Sequence, residues 1–74
     1  MGTVRWTPQR MEQLEHATRL GRRVMLMRRG TEYVVVARRI LATAPSETLI
    51  GVLPMTGEEL RFELHDLDDF QVLP

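Results

Sequence analysis

The sequence contains no cysteine and no lysine. Without thiols, disulfide staples, zinc–thiolate sites and thiol nucleophiles are all excluded. Uninterrupted apolar stretches are no longer than Val34–Ala37, far short of the roughly 18 residues a membrane-spanning helix needs. The N-terminus lacks the apolar core of a signal peptide, and Trp6 stands where a myristoylation signal requires Ser or Thr. Cytoplasmic localisation is the default these absences leave. Neither sign of charge is in excess, since 10 basic side chains meet 10 acidic ones. That balance argues against a protein that coats nucleic acid by bulk charge.

Catalytic signatures are missing as well. There is no Walker loop, no G-x-G-x-x-G, no H-E-x-x-H and no G-x-S-x-G. Ser46 is the only serine, and His16 and His65 lie far apart in the chain. His65-Asp66 with Asp68 and Asp69 lacks the glycine and distal glutamate of a calcium loop. The expectation is a protein that is not an enzyme and holds neither metal nor cofactor.

What is present is a chain of 74 residues, 43% hydrophobic and 27% charged, within ordinary globular values. Residues 1–74 form one domain on this reading, because a second core would have too little surface to bury. Thr7-Pro8 has the form of a helix start, with Thr7 as N-cap and Pro8 at N1. Trp6 and Met11 then occupy the two positions of a hydrophobic staple. Met11, Leu14, Ala17 and Thr18 repeat at helical spacing, and Gly21 is a natural stop, so the helix covers about residues 8–20. Beyond it the texture turns to β: strands are expected over about 22–29, 32–42, 48–55, 59–64 and 70–73. Gly30-Thr31 separates the first two as a two-residue turn, and Ala44-Pro45-Ser46 breaks the second from the third. Gly51 marks a bend, and Leu60, Phe62 and Leu64 alternate with Arg61 and Glu63. One helix and five short strands imply a mainly β fold, a small five-stranded Sm-like or SH3-like barrel with an N-terminal α-helix as lid.

The neutral total conceals a segregation. Residues 1–44 carry nine Arg and three acids, 9 − 3 = +6, and residues 45–74 carry Arg61 and seven acids, 1 − 7 = −6. With Gly30-Thr31 as the turn, Arg23 faces Arg38 and Arg22 faces Arg39. Like charges directly opposite one another are destabilising, so Arg22, Arg23, Arg38 and Arg39 form a candidate anion-binding cluster. Its counter-charge is either the acidic turn Asp66, Asp68, Asp69, the favoured source, or an external anion. The same hairpin is apolar on both faces: Met25, Met27, Val34 and Val36 on one, Val24, Leu26, Val35 and Ala37 on the other. A barrel interior and the helix lid account for such a pattern; so does a subunit or partner interface. Of the four aromatics (Trp6, Tyr33, Phe62, Phe70), only Tyr33 stands where it could stack a base.

Leu14-Glu15-His16-Ala17, Val24-Met25-Leu26, Tyr33-Val34-Val35-Val36 and the closing run Gly57 to Leu67 together resemble the Rho-binding antiterminator family. The resemblance spans about residues 10–72 and implies an Sm-like barrel behind an N-terminal helix. It further implies docking on the Rho termination factor at its RNA site through acidic surface. The chain lacks the Asp and Asn of the Sm RNA pocket, so uridine binding of that kind is not implied. Three roles are expected from these features. The first is a regulatory protein–protein contact, tied to transcription termination, through Glu63, Asp66, Asp68 and Asp69. The second is weak RNA or polyanion binding through the four arginines, and the third is a structural homo-oligomer. No membrane partner is expected.

Overall fold

The computed structural model describes residues 4–42 and 47–74. Helix α1 spans Pro8–Leu20, the range the periodicity implies. Thr7 caps it, its hydroxyl accepting from the Arg10 N–H at 3.2 Å, and Pro8 occupies the first turn, where a missing N–H costs nothing. At the other end Gly21 takes the left-handed conformation (φ 63°). The Gly21 N–H bonds the Thr18 carbonyl at 3.3 Å and the Arg22 N–H bonds that of Ala17 at 3.0 Å, the paired bonds of a Schellman stop. Leu14 and Ala17 are buried, Met11 and Thr18 half-buried, so the stripe read from the sequence is the face that packs. Trp6 and Met11 both pack against the core, and Trp6 has further contacts of its own. Its ring stacks on Phe70, centroids 5.1 Å apart, and its indole N–H donates to the Leu64 carbonyl at 3.0 Å. A partly buried indole N–H is satisfied by the backbone carbonyl, a stronger acceptor than a thioether.

Five strands follow: β1 (Arg23–Arg28), β2 (Thr31–Ala42), β3 (Glu47–Val52), β4 (Glu59–Glu63) and β5 (Asp69–Val72), with a 3₁₀ turn at Leu64–Asp66 between the last two. They form one antiparallel sheet in the order β4-β3-β2-β1-β5. The mainly β fold behind an N-terminal helix is therefore as the sequence implies. Hydrogen bonding does not run round into a ring, however: β4 and β5 end the order and do not pair with each other among the described residues. The third strand ends at Val52 rather than Met55, and a turn takes up Pro54–Thr56. The break at Ala44-Pro45-Ser46 lies outside the described residues.

The first hairpin turns one residue earlier than expected. Its two turn residues are Arg29 and Gly30, with φ of 51° and 79°, and Arg28 pairs with Thr31. Two positive φ values in succession are what a type I′ turn requires, and this turn matches the twist of the flanking strands. The consequence is a register shift of two residues. Arg23 lies opposite Val36, not Arg38, and Met25 opposite Val34. Arg22 sits opposite Ala37, whose N–H donates to the Arg22 carbonyl at 2.9 Å. The stacked like-charge pairs therefore do not form.

Strand β2 is the spine. Residues 31–36 pair with β1, and Val36 to Ala42 pair with β3, with a bulge between Ala37 and Arg39. A bulge bends and twists its strand, so the two halves of the sheet fold toward each other over one core. Val24, Leu26, Val35, Ala37, Leu49 and Phe62 line that core, and Leu14 and Ala17 cover it from the helix. No polar or charged residue is buried among those described. Gly51 is required where it stands: a Cβ there would lie 2.6 Å from Val35 Cγ2.

Candidate functional site

With no polar or charged residue fully buried among those described, any chemistry belongs to the surface, and the sheet register decides which side chains meet there. Glu63 ends β4, Asp66 closes the 3₁₀ turn, Asp68 precedes β5 and Asp69 opens it, so the four carboxylates lie along the one connection from β4 to β5, an acidic corner of the chain. Two cations reach them from elsewhere. Arg10 of α1 lies 3.5 Å from Asp69 and Arg29 of the hairpin turn 3.6 Å from Asp66. The Nε2 atom of His65 lies 3.6 Å from both Glu63 and Asp66. These contacts are long and mostly solvated, and exposed ion pairs contribute little. Four carboxylates against two arginines leave the corner acidic when His65 is neutral.

Glu63, His65 and Asp66 bring one potential ligand atom each within 4.8 Å of one another. The group shares His65 and Asp66 with the His65, Asp66, Asp68, Asp69 run singled out in the sequence, with Glu63 in place of Asp68 and Asp69. All three side chains are exposed or half-exposed, and nothing in the arrangement distinguishes it from a solvated turn.

The acidic turn does not neutralise the arginines. Arg22, Arg23, Arg38 and Arg39 are all exposed, and none of them makes an ion pair among the described residues. Arg22 reaches the Leu73 carbonyl at 3.4 Å. Arg38 sits in the bulge, and Arg39 faces Ile50, which faces Arg61 on its other side. Ile50 is buried although the strand alternation turns it away from Leu49 and the core, with exposed Arg39 and Arg61 as its cross-strand neighbours. Arg61 thus joins the basic patch, a member that only strand pairing reveals. The outer face continues through Val36, Val34, Met25 and Met27, half-buried except for Val34 at 38% exposure. The inner face of that hairpin, by contrast, is core.

Tyr33 does not present a free ring. It meets Phe62 edge-on at 5.2 Å, and Arg28 lies over it at 5.1 Å while donating to its hydroxyl at 3.3 Å. Arg10 plays a similar part at the other aromatic pair. Its guanidinium lies 4.7 Å from the Phe70 centroid, and its Nε is buried with no hydrogen-bond acceptor, the ring face standing in for one. Sequence reasoning missed both clamps, because each joins residues from separate elements.

No helix among the described residues is long and apolar enough to cross a membrane. No protein-family model, no curated protein and no solved structure matches the chain.

Proposed function

We propose that the chain is a non-catalytic binding module that regulates a partner by protein–protein contact, with Glu63, Asp66, Asp68 and Asp69 as its docking surface. The observation that carries this reading is the charge surplus at the β4–β5 corner, where, among the described residues, four carboxylates have only Arg10 and Arg29 as arginine neighbours within ion-pair distance. Carboxylates held on strand ends and a short 3₁₀ turn lose little freedom on binding, so they suit a basic partner surface. The resemblance to Rho-binding antiterminators names the partner to try first. Purified Rho is titrated against the fluorescently labelled chain, with its RNA-stimulated ATPase as second readout. Saturable binding that weakens at least about tenfold in the D66N/D68N/D69N variant is expected, because charged interfacial pairs are each worth about 1.5 kcal/mol or more. Absence of binding, or equal binding by the variant, refutes it.

A second reading rests on a separate observation, the four arginines that no carboxylate matches. Polyanion binding through Arg22, Arg23, Arg38 and Arg39 predicts retention of single-stranded RNA in filter assays at low salt, with affinity falling steeply as salt rises. The clamp of Arg28 on Tyr33 removes the ring that base stacking would use, so sequence preference is expected to be absent. Binding that is insensitive to salt refutes it.

A further inference from the structure

We infer that the groove between α1 and β5 receives an extended peptide ending in a free carboxylate. The edge of β5 is the starting point. The Leu73 N–H donates to the Arg23 carbonyl at 2.9 Å, which sets the phase of the β1–β5 ladder. In an antiparallel pair the hydrogen-bonding direction alternates along the strand. Gln71 therefore turns its backbone groups toward β1, as does the Leu73 N–H, and residues 70 and 72 turn theirs to the free edge; the carbonyl of Leu73, beyond the end of β5, is taken by Arg22 instead. At Phe70 those groups are already taken: its N–H donates to Asp69 Oδ1 at 2.8 Å and its carbonyl accepts from Arg10 at 3.4 Å. At Val72 no side chain among the described residues does the same. One N–H and one C=O are left pointing along the edge, the arrangement an added strand uses.

A groove of about 380 Å³ lies at that point, its walls formed by α1 on one side and β5 on the other, a size typical of ligand clefts. Val72 supplies its accessible apolar surface over a floor of buried Ala17 and Phe70, and Gln13, His16 and Gln71 its neutral polar rim. Arg22 also lines it, and no carboxylate does. Arg22 lies toward the Leu73 end, where its guanidinium contacts the Leu73 carbonyl at 3.4 Å. A peptide paired with Val72 would bring its terminal carboxylate to that guanidinium, whose planar fork suits two carboxylate oxygens. Its last side chain would rest on half-buried Val72. The Arg10–Asp69 clasp at Phe70 stops the pairing from running further along β5, so the site reads only the end of a chain. A nucleic acid fits less well, because Phe70 already stacks with Trp6 and carries Arg10 over its ring. The site adjoins the acidic corner at Asp69 but does not depend on that corner's role.

The test is an NMR titration of the isotopically labelled chain with N-acetyl-Ala-Val-Leu as free acid and, in parallel, as the amide. Saturable shifts of the Ala17, Phe70 and Val72 amides are expected with the acid. The amide, and the Arg22→Gln variant with the acid, should each bind about tenfold more weakly, as a lost charge-assisted hydrogen bond implies. Arg5→Gln, at an exposed arginine outside the groove lining, should bind as the parent does, and the spectrum of each variant reports its folding directly. No saturable shift at Val72, equal binding of acid and amide, or shifts centred on Arg38 and Arg39 instead would each overturn the proposal.

Discussion

Gly51→Ala adds one methyl group at a buried position of β3, between Ala37 on β2 and Leu60 on β4. The new Cβ would lie 2.6 Å from Val35 Cγ2 and 2.9 Å from Val35 Cβ. Carbon atoms rest at about 3.5–4.0 Å, so the added atom intrudes by about an ångström. Val35 cannot swing aside: it is fully buried and β-branched, which restricts it to few rotamers. Overpacking of this kind costs about 1–3 kcal/mol. Taking about 2 kcal/mol, the melting temperature should fall by about 8–16 °C for a domain of this size. Thermal and urea unfolding followed by circular dichroism measure the loss. The paired variant Val35→Ala alone should cost about 2 kcal/mol, from two buried methyls and the cavity they leave. In the Val35→Ala background the 2.6 Å contact is gone while the 2.9 Å one remains. The Gly51 substitution should then cost about half as much, a coupling of about 1 kcal/mol in the double-mutant cycle. Additive effects would refute the reasoning. So would a stabilised Gly51→Ala variant, since replacing Gly by Ala stabilises by about 0.4–1 kcal/mol where the side chain has room.

Arg29→Asn should raise the unfolding midpoint by a few tenths to about 1 kcal/mol, because Asn-Gly is the preferred pair for a turn with two positive φ values. The ion pair it removes is small, with the Arg29 side chain 79% exposed; a destabilised variant in urea titration would show that the contact with Asp66 outweighs the turn. Trp6→Phe keeps a ring against Phe70 but leaves the Leu64 carbonyl without its donor. A loss of about 1 kcal/mol is expected in chemical unfolding, and an unchanged midpoint would mean that water replaces the indole at no cost.

Much of the fold was legible because the residues responsible are close in sequence. The α1 boundaries follow from Thr7, Pro8 and Gly21, each acting on its own backbone neighbours. The alternation of Leu60, Phe62 and Leu64 is likewise local, and Phe62 and Leu64 are buried as that pattern requires. The hairpin register was less accessible. Gly30 marks a turn, but whether it is the first or second turn residue depends on whether Arg29 accepts a positive φ. An arginine does so at some cost, and strand twist and packing repay it here. A one-residue move of the turn then displaced every cross-strand partner by two, which is why Arg23 meets Val36. The candidate site suffered most from this. Its acidic members lie within one short segment and were found together; Arg61 and the Arg10 and Arg29 counter-charges come from other elements.

By itself the sequence determined which segments are helix and strand, that the interior is apolar, and that charge is divided between the two halves of the chain. These properties depend on backbone propensity, side-chain period and composition, all of which act over a few residues or none. Tertiary structure alone decided which charges meet. Arg10 and Arg29, not the four arginines of the anticipated cluster, stand beside the acidic turn. The reason is geometric: a salt bridge depends on a few ångströms across elements, and those distances follow from register, bulge and turn type rather than from the number of charges in each half.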